Sequence, residues 1–212
     1  MENESKLFLS ERLHITYGAY NQRLRNILIF IESEFGKFPV PILNEIRAAQ
    51  DHMARCFDER IDGYGTRGFN EAQLQQAKGH FMRALLDGYK YIWYHYGLKI
   101  AIKYNIAKFL GDLGSIDNGD FLERYYALHQ AAKTHNREAR ETESIDKDKS
   151  IEMYEMAIGE LGDMDGMFEK NIKKIYWSIM RGSTKKVIIG IGYIGSAILL
   201  INKIWPFLMK LF

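Results

Sequence analysis

The sequence predicts an all-α fold: a bundle of four or five helices followed by one apolar helix at the C-terminus. Apolar residues recur at steps of three and four along most of the chain, and the alternating pattern of half-buried strands is scarce. Only three prolines, Pro39, Pro41 and Pro206, interrupt the 212 residues. The last 26 residues, Val187 to Phe212, form a nearly continuous apolar run. The chain therefore divides into a helical domain over residues 1–182 and a C-terminal anchor over 183–212.

A first helix is expected from about Leu7 to Phe35, with Leu13, Tyr17, Tyr20, Leu24, Ile27 and Ile31 making its apolar stripe. Phe38-Pro39-Val40-Pro41 ends it and starts the next, because proline suits a helix's first turn but not its interior. The second helix, about Pro41 to Arg60, places Ile42, Ile46, Ala49, Met53 and Phe57 on one side, packed antiparallel to the first. The loop Gly63-Tyr64-Gly65-Thr66-Arg67-Gly68 reads as a turn; it lacks the strand and the lysine of a phosphate-binding P-loop. A third helix runs from about Asn70 through the aromatic cluster Tyr89 to Tyr96, towards Leu110. Three glycines between Asp112 and Asp120 mark another turn. Two further elements cover about Phe121 to Glu143 and Ser150 to Met180. The charged stretch ETESIDKDKS between them fits either a loop or one exposed side of a single long helix.

Lys plus Arg number 29 against 27 for Asp plus Glu, so net charge alone does not make a nucleic-acid-binding surface. The single cysteine, Cys56, cannot form an internal disulfide and suits a core position. No CxxC or His/Cys cluster offers a metal site, and no cofactor motif is present, so neither a metal nor a cofactor is expected. The charged N-terminus is not a secretory signal.

Candidate chemistry centres on EIRAAQDHMARCFD in the second helix, where Arg47 and His52 are separated by four residues, and on AKGHFMRALLDGYKYIW in the third. These stretches resemble the prokaryotic HEPN superfamily, helical bundles that often carry an Arg-x(4 to 6)-His motif and recur in toxin and antiviral defence systems. The resemblance covers about Pro41 to Trp93, a quarter of the chain, and makes the expected bundle HEPN-like. It implies metal-independent RNA cleavage at a dimer cleft. Arg47 would hold the scissile phosphate, and His52 would supply acid or base chemistry or position the 2′-hydroxyl. Positions five apart on a helix differ by about 140° around its axis, so such a site requires two protomers. Active members usually have a polar residue directly after the arginine, whereas this chain has Ala48. A second match to the motif pairs Arg124 with His129. The residues also allow ordinary helix pairing, Arg47 with Asp51 and Asp51 with Arg55, and likewise Arg83 with Asp87 beside His80.

The apolar tail has its own chemistry. Val187 to Ile201 gives 15 consecutive uncharged residues, and accepting Asn202 and Lys203 extends the run to Phe207, 21 residues in all. A helix needs about 20 residues to cross a hydrocarbon core, so the length suffices if Lys203 snorkels along its own carbon stem. Lys173, Lys174, Arg181, Lys185 and Lys186 precede the run, and only Lys203 and Lys210 lie within or after it. The positive-inside rule then keeps the bulk of the chain cytoplasmic, with a single pass through the inner membrane. Gly192, Gly195 and Ser196 are small enough for spanning helices to approach closely, which points to a homo-oligomer. Asn202 and Lys203 would face a water-filled centre if the helices enclosed a pore.

Together these features predict a membrane-associated effector or accessory protein of prokaryotic antiviral defence that oligomerises and perturbs the inner membrane by pore formation or depolarisation. Within the families it resembles, membrane-attached HEPN-like proteins accompany RNA-targeting CRISPR systems, and other small membrane helical proteins answer nucleotide second messengers. Either a CRISPR nuclease or such a messenger is therefore the expected trigger, and the lipid bilayer the expected partner. The alternatives are a membrane-tethered ribonuclease using Arg47 and His52, with RNA as its substrate, and a non-catalytic adaptor that the tail only localises.

Overall fold

A computed structural model describes residues 2–181. Helices account for nearly all of the regular structure, and among the described residues there is no strand. The chain forms two compact units, one over Met1–Tyr91 and the other beginning at Ile92.

In the first unit, α1 (Glu2–Ala19) continues through a π-helical turn, Tyr20–Leu24, into α2 (Arg25–Phe35). A π turn holds more residues than an α turn and so rotates the following face. That rotation explains a departure from the sequence expectation. Leu24 and Ile31 are buried as expected, but Leu28 and Phe35 join them, whereas Tyr17 is exposed and Ile27 only half-buried. Gly36, with a left-handed φ of 70°, closes α2 by donating from its N–H to the Glu32 carbonyl.

The Pro39-Val40-Pro41 segment opens α3 (Val40–Arg55). Ile42, Ala49 and Met53 are buried and Ile46 is half-buried. Phe57 departs from the predicted stripe. The helix ends at Arg55, and its last carbonyls are taken at three-residue spacing by Cys56 N–H (to Met53) and Phe57 N–H (to Ala54). That tightening turns Cys56 inward, 1% exposed, and leaves Phe57 58% exposed.

A turn with left-handed Gly63 and Gly65 leads into α4 (Arg67–Leu110), whose first half belongs to this unit. Thr66 caps it, its hydroxyl accepting from Phe69 N–H at 3.4 Å and donating to the Gly63 carbonyl at 2.7 Å. Leu74, Ala77, Phe81, Ala84, Leu85 and Tyr89 supply the buried face. The chain through α1 and α2 runs parallel to α4: Tyr20 meets Phe81, a Cβ at Gly88 would lie against Ile27, and Phe35 meets Tyr91.

In the second unit the later part of α4 buries Ile92, Tyr96, Ile100, Tyr104 and Ala107 at steps of four and three. A short 3₁₀ segment, Leu113–Gly119, follows, in which Asp117, Asn118 and Gly119 all adopt left-handed φ. Then α5 (Asp120–Thr142) and α6 (Lys147–Lys170) form an antiparallel hairpin. ETESIDKDKS therefore contains a break, at 143–146, after which Asp146 caps α6 by accepting from Lys149 N–H at 3.0 Å. Buried Ala132 and Ala139 on α5 leave room for Ile151, Tyr154 and Ala157 on α6, and Ser150 Oγ donates to the Ala139 carbonyl at 2.7 Å. After Asn171 the chain restarts as α7 (Ile172–Arg181).

The face of α7 that carries Ile175 and Ser178 docks on the segment after α4. Ser178 Oγ accepts from Asp112 N–H and donates to the Asp112 carbonyl, both at 2.8 Å. Lys174 Nζ donates to both carboxylate oxygens of Asp117, at 2.7 and 2.6 Å. Gly111 allows this approach, since a Cβ there would stand 2.9 Å from Ile179 Cγ1 and 3.2 Å from the Ile179 nitrogen.

Candidate functional site

The richest polar constellation near a predicted site residue lies between α3 and the first half of α4. Glu45 and His52 are two helical turns apart on α3, and Gln73 and His80 are two turns apart on α4. Because the helices are antiparallel here, the pairs meet end to end: Glu45 faces His80, and His52 faces Gln73. The two imidazoles stack between them, with ring centroids 5.2 Å apart and 25° between planes.

Glu45 Oε2 lies 2.8 Å from His80 Nδ1 and accepts from Arg83 Nε, also at 2.8 Å. Burial raises the Glu45 carboxyl, but the contacts with His80 and Arg83 and the Arg83 charge outweigh it, holding the group below the ordinary carboxylate range. Arg83 Nη2 also lies 2.7 Å from His80 Nδ1. Nδ1 can serve only one of these partners at a time. With a proton it donates to Glu45, and without one it accepts from Arg83, which has only donors. The three side chains are thus linked through a single proton position.

His52 has a different arrangement. Its Nδ1 lies 2.8 Å from the Gln73 amide oxygen, which can only accept, so the Nδ1 proton points there. A neutral His52 then presents Nε2 as a base. Arg47, on the same helix, is exposed, and no hydrogen bond or ion pair joins it to His52 among the described residues. One chain holds the two candidate residues on different sides of α3, as their spacing implies. The expected pairing of Asp51 with Arg55 is present at 2.8 Å. Arg83 pairs across to Glu45 rather than along its helix to Asp87, and Asp87 takes Lys90 at 3.4 Å. Glu45, facing α4 and also held by His80, is the less exposed of the two carboxylates, 28% against 42% for Asp87.

Sequence reasoning singled out His52 and the Arg83–Asp87 pair beside His80, but it did not assign Glu45 or Gln73 to them. The available signal was the matching seven-residue spacing of Glu45 with His52 and of Gln73 with His80. The other motif match, Arg124 with His129, resolves differently. His129 stacks on Tyr125 with 7° between ring planes, and burial, with the Lys133 charge, pushes its pKa down, while Arg124 points to solvent.

The second unit holds a polar group that the sequence did not single out. Asp165, on α6, is 10% exposed and forms ion pairs with Lys103 and, at 3.5 Å, with Lys99 of α4; the Tyr96 hydroxyl is 3.4 Å away. Among the described residues no group of three or more His, Cys, Asp or Glu side chains is arranged to hold a metal ion. No described helix is long and apolar enough to cross a membrane. The tail residues singled out above, Lys185, Lys186, Gly192, Gly195, Ser196, Asn202 and Lys203, lie outside the described residues.

No family model matches the chain, and no curated protein or solved structure matches it either.

Proposed function

We propose that the chain is a HEPN-like helical effector of prokaryotic antiviral defence, attached to the inner membrane by its C-terminal run and acting there as an oligomer that opens or disorders the bilayer. The observation that carries this reading is the run from Val187 to Phe207, 21 residues with Lys203 as its one charge, preceded directly by Lys185 and Lys186. Within the helical domain, Glu45, His80 and Arg83 bind one another across α3 and α4. A CRISPR nuclease or a nucleotide second messenger would act upstream.

The test is expression of the full chain and of a chain ending at Lys186, at a level that bypasses the trigger, with growth and membrane potential followed together. The full chain should collapse the potential and arrest growth, and the shortened one should do neither. An intact potential with the full chain in the membrane would refute the proposal.

One observation favours a second reading, a membrane-tethered ribonuclease. His52 is oriented by Gln73 with its Nε2 presented as a base, and Arg47 is exposed five residues away, where a second protomer could meet it. Under that reading R47A and H52A would each abolish RNA cleavage while leaving bilayer integrity unchanged. Under the first, neither substitution would affect depolarisation beyond its effect on folding.

A further inference from the structure

α7 has an outer face that departs from what water selects. At about 100° per residue, Ile172, Tyr176, Met180, Lys173 and Trp177 fall within an arc of about 140°, opposite the docked side that carries Ile175 and Ser178. Four of those five are large and apolar or aromatic. All four are substantially exposed: Ile172 44%, Tyr176 40%, Trp177 63% and Met180 55%. A water-facing helix of a soluble domain carries polar residues there. Single exposed apolar side chains need no explanation, but a contiguous patch of four on one helix does.

Both the composition of the patch and its place in the chain indicate what covers it. Tyr and Trp are the side chains favoured at the headgroup level, where an amphipathic ring has one apolar side and one wet one. Lys173 lies within the face, and Lys170 ends the preceding helix. Between Arg181 and the start of the apolar run at Val187 lie five residues, Gly182-Ser183-Thr184-Lys185-Lys186. Such a connection reaches at most about 20 Å. If the run enters the bilayer, the end of α7 cannot lie far outside the headgroup region, which is itself several ångströms deep. On its other side, α7 is held within the second unit by Ser178 on Asp112 and Lys174 on Asp117, which fixes which face it turns outward.

We infer that α7 is an interfacial helix, lying in the headgroup layer with Ile172, Tyr176, Trp177 and Met180 in the acyl boundary and Lys173 among anionic headgroups. The inference rests on the membrane attachment proposed above and adds a second, surface-lying contact to it. The tail then holds the chain in the membrane, and α7 sets the orientation of the helical domain above it.

The test uses the full chain carrying W93F and W205F, so that Trp177 is the only tryptophan, reconstituted into vesicles of phosphatidylcholine and phosphatidylglycerol. Flotation reports attachment by the tail, and Trp177 emission reports the face. The expected result is co-flotation, an emission maximum blue-shifted from that in detergent-free denaturant, and strong loss of intensity with lipids brominated near the headgroup. Co-flotation with Trp177 unquenched by brominated lipid would overturn the interfacial assignment and leave the anchor standing. Trp177 shielded from both brominated lipid and aqueous iodide would mean that protein, such as a second copy of the chain, covers the face, which also overturns it. Failure to float would remove the attachment and the inference together. Should the double substitution not fold, amide exchange over 172–181 in the unaltered chain gives the same decision: slowing in vesicles relative to short-chain detergent is expected, and equal rates would refute the assignment.

Discussion

Gly88→Ala sets two opposing effects against each other, and their balance is readable from the structure. Gly88 lies inside α4, where glycine is about 1 kcal/mol less favourable than alanine. On helix propensity alone, the substitution should stabilise the protein. A Cβ at position 88 would, however, stand 2.6 Å from Ile27 Cγ2 and 3.9 Å from Ile31 Cδ1. Carbon atoms rest about 3.5 to 4.0 Å apart, so the contact with Ile27 is short by roughly 1 Å. Ile27 cannot easily yield, because a β-branched side chain in a helix is confined to essentially one χ1 rotamer. Overpacking of this kind costs about 1 to 3 kcal/mol, which leaves a net destabilisation of about 1 kcal/mol after the propensity gain. Ile27→Leu removes the Cγ2 branch while keeping the side-chain volume. In that background the propensity term should prevail, and Gly88→Ala should stabilise by up to about 1 kcal/mol. The coupling between the two sites is then about 2 kcal/mol. Urea unfolding of the full chain in mild detergent, followed by far-ultraviolet circular dichroism across the double-mutant cycle, measures it. A stabilising Gly88→Ala in the unaltered background, or an equal effect in both backgrounds, would refute the close approach of α2 to α4.

Glu45→Gln should flatten the acid limb of stability. The native carboxyl is held below its ordinary range, so its contribution is complete above the unfolded-state value and is lost as pH falls through the folded one. Stability profiles of the two proteins should therefore converge on acidification, and parallel profiles would refute the role of Glu45. Asp165→Ala leaves Lys99 and Lys103 sharing a site without their carboxylate; since both lysines are about a third exposed, water offsets part of the loss, and about 2 kcal/mol of destabilisation is expected in the same unfolding assay. At the alkaline end, Tyr104 and Tyr125 are both pushed up to about 12 by burial, with the Tyr126 hydroxyl adding to it. Their contribution is complete below the unfolded tyrosine value and is lost as pH rises towards the folded one, so in a spectrophotometric titration Tyr104 and Tyr125 should be among the phenols that ionise late, and F substitution at either position should remove one phenol from that late phase.

The all-α class was legible because three- and four-residue apolar spacing survives almost everywhere, and the turns before α4 and α5 were legible because glycines mark left-handed backbone there. Faces were read less well than elements. The stripe expected over Leu13 to Ile31 assumes an unbroken α-helix, and the π turn at Tyr20–Leu24 changes the phase without leaving any proline or glycine as a marker inside it. Phe57 was misplaced for a related reason: periodicity says which residues would share a face, but hydrogen bonding decides where the helix stops, and three-residue bonding at Cys56 stopped it first.

The polar cluster shows how far local spacing reaches. Arg47 and His52 attracted notice as a pair within one helix, yet five residues put them on different sides of it, and the partners that His52 and Glu45 find are on α4. Each of those contacts joins residues more than 20 positions apart, so no pattern within α3 contains them. What the sequence does contain is the equal seven-residue interval on both helices, which becomes informative only once the helices are known to be antiparallel and in register. The same logic applies to α7. Its exposed face was invisible while the helix was counted as the end of a longer one, because the break at Asn171 gives α7 a docking direction of its own. Once Ser178 is fixed against Asp112 and Ile175 is buried on the same side, the remaining positions are decided, and Tyr176 and Trp177 are turned outward.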